Sequence, residues 1–249
     1  MGLSLKVLGS SSSGNCGLLA YNGNYFLIDA GFSGKKIREL LQTYGLVLED
    51  LSGVFVTHEH HDHIVGLKVL ARKNIPFFAN KRTAEAIEKK YALNYHWRIF
   101  ESGREFLMQG LKIRPLIISH DAIEPVGFVF KSAEETCVWV TDIGSLEGNI
   151  VAAISEADIL VLESNHDEQM VREHPTRPEY LKERILGPLG HLSNRTAYQL
   201  LKNTEGHWRT VCLAHLSKDC NSVQKVKKLF QPLADERQFE LVIVDPELA

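Results

Sequence analysis

Residues 54–67 read VFVTHEHHDHIVGL, and four histidines and an aspartate fall in the short run from His58 to His63. Imidazole and carboxylate share one capacity at neutral pH: each offers lone pairs to a divalent cation. The pattern is H-x-H-x-D-H, made of His58, His60, Asp62 and His63. It is not the helical H-E-x-x-H zinc signature, because the residue four places after His58 is Asp62. His58 and His60 lie two apart, so an extended turn projects both to one side. Asp62 and His63 stand where a helical run begins and aim elsewhere. That division of donors is the one expected for two adjacent ions. A solvated loop rich in His is the competing reading, and the position of the cluster, between an apolar strand and a helix, weighs against it.

A pair of ions needs further donors, about four to six around each. The ends of other apolar runs supply them. His120 ends RPLIIS, Asp142 follows VWVT, and His215 follows VCLA. Each alone reads as a turn residue; beside the cluster they become candidate ligands.

The elements that must position these residues can be read from period and punctuation. LSLKVLG, CGLLAYN and NYFLIDAG are strand-like runs separated by Gly and Asn, which predicts a meander. SGKKIRELLQTYG switches to helical spacing, with Ser33 as cap and Gly45 as stop. GVFVT is a strand ending at the cluster, HIVGLKVLARKN a helix, IPFFAN a strand and RTAEAIEKKYA a helix. REFLMQGLKIRPLIISH and VGFVFKSAEETCVWVTD predict hairpins turning at Gln109–Gly110 and around Ala133–Glu135. Beyond residue 147, ADILVLES, TVCLAHLS and FELVIVD are strands, and SNRTAYQLLKN and SVQKVKKLF are helices. GVFVTH and TVCLAH are both buried-looking strands that end in histidine, and two packed sheets would bring those ends to one edge.

Composition sets the outer limits. A chain of 249 residues can bury a sizeable core, and a net charge of −3 argues against a global basic field for nucleic acid. The runs ARKN, NKR, EKK and KVKK remain local candidates for a nucleic-acid track. No stretch of 18 apolar residues occurs and no leader pattern opens the chain, so a membrane role is not expected and a cytoplasmic location is. Cys16, Cys137, Cys212 and Cys220 are scattered and read as buried free thiols.

H-x-H-x-D-H, a distant His, an Asp in TDIG and a His in LAHLS together resemble the metallo-β-lactamase superfamily, over essentially the whole chain. The resemblance implies an α/β fold, an αββα sandwich of two mixed β-sheets flanked by helices. It implies one domain over residues 1–249 without a β-CASP insertion. Carried over, His58, His60 and His120 would hold a first ion, Asp62, His63 and His215 a second, and Asp142 would bridge them. Asp29 in LIDAG would support the histidine loop by hydrogen bonding.

Secreted β-lactamases are a poor match, since many replace one of these positions with cysteine. GHLSNRTAYQLL resembles a segment of the tRNA 3′-processing phosphodiesterases. There a non-ligand His, oriented by a Glu, sits over the scissile phosphate; His191 and Glu163 would be that pair. LGSSSSGNC, SHDAIEPVGF, ESNHD, GHLSN and AHLSKDCN resemble the bacterial WalJ/YycJ-type branch, regarded as 5′→3′ DNA exonucleases. The implied activity is phosphodiester hydrolysis by a hydroxide shared between two divalent ions, Zn or Mn, with Asp62, His191 and Glu163 as the catalytic set. DNA, ahead of RNA, is the implied partner, with oligomerisation left open. Ser12, Ser13 and Asn15 of the Ser-rich loop are candidates, with His191, to meet substrate. A thioester or lactone hydrolase of the glyoxalase II kind and a non-catalytic scaffold are the alternatives.

Overall fold

The computed structural model describes residues 2–91 and 95–248. The first three strands, β1 (Ser4–Ser11), β2 (Gly14–Tyr21) and β3 (Asn24–Ile28), pair antiparallel as the expected meander. From there the chain changes habit. β4 (Leu51–Phe55), β5 (Phe77–Asn80) and β6 (Trp97–Phe100) each add parallel to the strand before, giving the order β1-β2-β3-β4-β5-β6. Parallel neighbours require a crossover. It is supplied by α1 (Gly34–Gln42), then α2 (His61–Ile64) with α3 (Leu67–Ala71), then α4 (Lys81–Lys90).

The second sheet repeats this change. β7 (Phe106–Met108), β8 (Leu111–Ile117), β9 (Val126–Lys131) and β10 (Thr136–Val140) are antiparallel hairpin strands. The first hairpin turns at Gln109–Gly110, both with positive φ. β11 (Ile159–Glu163), β12 (Thr210–Ala214) and β13 (Glu240–Ile243) continue parallel to β10. Their crossovers carry α5 (Gly148–Ser155), α6 (Glu168–Arg172), α7 (Glu179–Leu186), α8 (Asn194–Asn203) and α9 (Val223–Arg237).

Side-chain alternation builds three apolar layers from these sheets. Cys137, Trp139, Val161, Cys212 and Ala214 face the first sheet and meet Phe26, Ile28 and Phe55. Val138, Val140, Leu160, Leu162, Val211 and Leu213 face outward onto Ile150, Ile154, Ala197, Leu201 and Phe230 of α5, α8 and α9. On the other side, Leu18, Leu27, Val54 and Phe77 meet Ile37, Leu41, Leu67, Leu70 and Ile87 of α1, α3 and α4. Strands covered on both faces read as unbroken apolar runs, which is why VFV, TCVWV and ILVL lack polar punctuation. The expected αββα sandwich of two mixed sheets is the fold.

One expected element differs. The run 63–74 is two short helices hinged at Gly66, not one. The Gly66 amide donates to the Ala30 carbonyl at 2.7 Å, and a Cβ there would lie 2.4 Å from Ile37 Cδ1. The loop after β3 therefore passes through the place a continuous helix would occupy. Among the described residues, no helix is long and apolar enough to cross a membrane. The four cysteines are buried and free, as expected.

Candidate metal centre

β3 to β6 are parallel, and so are β10 to β13, so their C-terminal ends gather at common edges. There Asp29, Asp142 and His215, each one or two residues past a strand, adopt φ of 60, 57 and 58°. For residues with a Cβ this left-handed backbone costs about 1–3 kcal/mol each, and such strain gathers at functional sites. Here it bends each chain sharply enough to turn a polar side chain into the site. Glu163 needs no such bend. Alternation along β11 puts it on the same face as Val161, between the sheets, where it is fully buried.

The imidazoles are oriented from behind. His63 Nδ1 lies 2.8 Å from Asp29 Oδ2, and Asp29 also accepts from the Thr57 amide at 2.8 Å and its hydroxyl at 2.9 Å. His58 Nδ1 lies 2.9 Å from Thr57 Oγ1, His120 Nδ1 3.2 Å from the Gly190 carbonyl, and His215 Nδ1 2.7 Å from Glu163 Oε1. A ring that donates through Nδ1 keeps its Nε2 lone pair free, the arrangement that fixes metal-binding tautomers.

Those Nε2 atoms converge, with the Asn15 side-chain nitrogen 3.1 Å from that of His63. Donor atoms of His58, His60 and His120 lie within 4.8 Å of one another, and so do those of Asp62, His63, Asp142 and His215. Asp142 stands between the groups, 3.9 Å from His120 Nε2 and 3.5 Å from both His63 Nε2 and His215 Nδ1. The donors fit a pair of cations on three counts. His58 Nε2, His215 Nε2 and Asp142 Oδ2 are buried with no hydrogen-bond partner, which is costly unless something else binds them. His60 Nδ1 and His120 Nε2 face each other at 3.3 Å although the Gly190 carbonyl already holds the other His120 nitrogen. Finally, Asp29, Asp142 and Glu163 are buried carboxylates that need positive charge beside them. Against the opposing effect of burial, Asp142 is held well below the usual carboxylate range by His215 and His63. The complementary shift raises His215 to about 10, through Asp142, Asp62 and Glu163. Protons thus sit where positive charge is wanted.

Asp142, Glu163, His191 and His215 are also close enough to share an ion. The Glu163 oxygens, however, are already occupied. Oε1 faces His191 Nδ1 at 2.9 Å and His215 Nδ1 at 2.7 Å and accepts the Asp142 amide at 3.3 Å; Oε2 accepts the Ile143 and Leu192 amides at 3.1 and 2.9 Å. Although burial opposes it, the adjacent His191 and His215 bring its carboxyl down to about 2. Glu163 is a fixed anion that orients two imidazoles, and His191 lines a cleft of about 250 Å³.

The model of the β-lactamase superfamily domain matches residues 24–216 of this chain. The chain belongs to the metallo-β-lactamase superfamily. Among its relatives, exodeoxyribonuclease WalJ of Streptococcus pneumoniae serotype 2 is 36% identical over 227 residues, covering 89% of this chain and 84% of its own. Exodeoxyribonuclease YycJ of Bacillus anthracis is 33% identical over 265 residues, covering 100% and 97%. In fold, the metallo-β-lactamase protein YhfI of Bacillus subtilis matches with a TM-score of 0.72 at 18% identity, over 98% of this chain and 96% of its own. Zn²⁺-bound PqqB of Methylobacterium extorquens matches at 0.73 and 15%, over 97% and 98%.

Within this member of the superfamily the remaining expected residues are divided. Ser12 lines the cleft with His191 and His215. Ser13 is exposed, and the cleft lining does not include it. Asn15 is fully buried: it accepts from Ser10 Oγ at 2.7 Å, donates to the Ser11 carbonyl and to Asp62 Oδ2 at 3.1 Å, and so steadies Asp62 rather than meeting substrate. The basic runs lie elsewhere: Lys73 pairs with Glu49, Lys81 with Glu85, Arg82 with Glu124, and Lys225 with Asp167. The sequence reading passed over Thr57 and Gly190 as partners of the histidines. Thr57 could have been found from its place directly before His58. Gly190 acts through a backbone carbonyl, which leaves no mark in residue type.

Proposed function

We propose that this chain is a metal-dependent phosphodiesterase, an exonuclease acting on DNA. Its relatives WalJ and YycJ are named exodeoxyribonucleases. The observation that carries the reading is the pair of donor groups meeting at Asp142, with His191 beside them on the Glu163 carboxylate. His58, His60 and His120 would hold one divalent ion, Asp62, His63 and His215 the other, and Asp142 both; residues 1–249 act as one domain. Nitrogen and carboxylate donors suit Zn and Mn alike. When bound, such ions acidify water and neutralise charge on a phosphoryl group.

The chain's own groups do the rest. Asp29, Thr57, Gly190 and Glu163 fix the ring tautomers, so the donors are set before any ligand arrives. Asn15 fixes Asp62. The Glu163 carboxylate holds the His191 ring through Nδ1 at 2.9 Å, so the outer nitrogen is the ring position left to carry a proton to substrate. A phosphodiester needs such a proton at its departing oxygen, and His191 supplies it. A thioester does not, since thiolate leaves readily.

The test is incubation of 5′- and 3′-labelled single-stranded and duplex oligonucleotides with the protein after Zn or Mn is added. Stepwise, metal-dependent shortening from one end is the expected result. Intact oligonucleotides beside rapid thioester hydrolysis would sink the proposal.

A further inference from the structure

Helix α7 does not do what an amphipathic helix in a globular protein usually does. None of its eight residues is buried, and its apolar pair Leu181 and Ile185, one turn apart, faces the cleft beside His191 and His215 instead of a core. It is held by polar ties. Arg184 pairs with Asp121, the neighbour of His120, and the His191 amide donates to the Ile185 carbonyl at 3.1 Å. Just before the helix, Arg177 pairs with Asp219 at 3.0 Å while its own side chain is only 14% exposed. Lys218 completes the rim. It is exposed, lines the same cleft, and has no ion-pair partner among the described residues.

The cleft therefore has an apolar wall, one cation unpaired among the described residues, Lys218, beside the Arg177–Asp219 and Arg184–Asp121 pairs, and hydroxyl and amide groups from Ser12, Ser217 and Asn165. Its volume of about 250 Å³ lies below the usual ~300–1,000 Å³ of small-molecule sites, so it has no room for a duplex. Building on the phosphodiesterase reading, we propose that this cleft is a subsite for one terminal nucleotide of an unpaired DNA strand. Lys218 meets its phosphate, Arg177 holds the Asp219 carboxylate aside, and Leu181 and Ile185 meet its sugar and base. Arg184 is a strut that fixes α7 against the Asp121 loop. Selection of a single strand end is then a property of the α7 wall and is separate from the donors that hold metal.

Fluorescence anisotropy of a labelled, cleavage-resistant 20-nucleotide phosphorothioate single strand, titrated against salt with the metal-loaded protein, tests this apart from cleavage. Lys218→Glu is expected to weaken binding about tenfold and to lower the salt slope by about 0.7 for the lost phosphate contact. Lys228→Glu, the same charge change on an exposed position of α9, is expected to leave both as they are. Leu181→Asp, on a helix with nothing buried to lose, is expected to weaken binding as well. Equal effects from Lys218→Glu and Lys228→Glu, no binding by the wild-type chain, or equal affinity for a blunt duplex would each overturn the subsite. Lys218-dependent binding without metal-dependent cleavage would instead remove the nuclease reading and leave the subsite standing. Cleavage with no dependence of binding on Lys218 would do the reverse.

Discussion

His191 and His215 share one carboxylate, and removing each part of that trio gives a different defect. In His191→Ala the donor set is intact, so metal content is expected to match wild type while oligonucleotide cleavage falls by about 10²–10⁴. In Glu163→Gln the His215 ring loses its anchor too, so metal affinity is expected to drop by about 10–100-fold along with activity. Elemental analysis beside the cleavage assay separates them, and equal metal loss in both variants would refute the division of labour. The thiols make a second residue-scale case. Burial pushes both the Cys137 and the Cys212 thiol up to about 12. Thiolate is the reactive form, so a thiol reagent at pH 8 is expected to find none of the four cysteines until the chain is unfolded, and then all four. The histidine cluster was legible in the sequence because four donors in so short a run match no structural pattern. Asn15 was misplaced for the opposite reason. A loop of small polar residues says nothing about which of them turns inward, and only the fold shows Asn15 satisfied against Ser10, Ser11 and Asp62.

Elements were legible where an apolar period and its punctuation coincide. Strands between two layers and helices α1, α4, α8 and α9 announce themselves by period, and the Ser33, Ser193 and Ser222 side chains cap three of those helices. Helices α5, α6 and α7 had no such signal strong enough to place them, and α7 buries nothing at all. The break at Gly66 was hidden because the residue that forbids a continuous helix is Ala30, far away in sequence. Gly31 shows the same kind of constraint at higher stakes. A Cβ on Gly31 would lie 1.7 Å from the Asp62 carbonyl oxygen and 2.4 Å from the Asn15 amide nitrogen, both backbone atoms that cannot swing aside. Gly31→Ala is therefore expected to push the loop after β3 off the histidine loop. A loss of about 3 kcal/mol in urea denaturation, together with reduced metal content, is the expected reading. Wild-type stability and metal content would show that the two loops are not packed as described.

At the scale of the molecule, the two halves of the sandwich meet at a site that neither completes alone. The first sheet's loops bring Asp29, His58, His60, Asp62 and His63; the second sheet's bring His120, Asp142, Glu163, His191 and His215. Below the site the sheets are joined by an apolar layer containing Phe55, Phe128, Phe130 and Trp139, but at the edge the contact is between carboxylates and imidazoles. Cations held as proposed would act there as a cross-link, because they would bind the folded arrangement and not the unfolded chain. A ligand at about 1,000 times its dissociation constant adds about 4 kcal/mol, and for a chain of this size each kcal/mol moves the melting temperature by about 2–4 °C. Stripping with a chelator is thus expected to lower the melting temperature by about 10 °C, and Zn or Mn to restore it. Asp142→Asn tests whether the effect depends on the carboxylate common to the two donor groups, since Asp142 is the donor that touches each. In that variant most of the metal-dependent rise is expected to vanish. A full rise with Asp142→Asn would mean that His120 and His215 alone carry the cross-link from the second sheet and that Asp142 adds nothing to it.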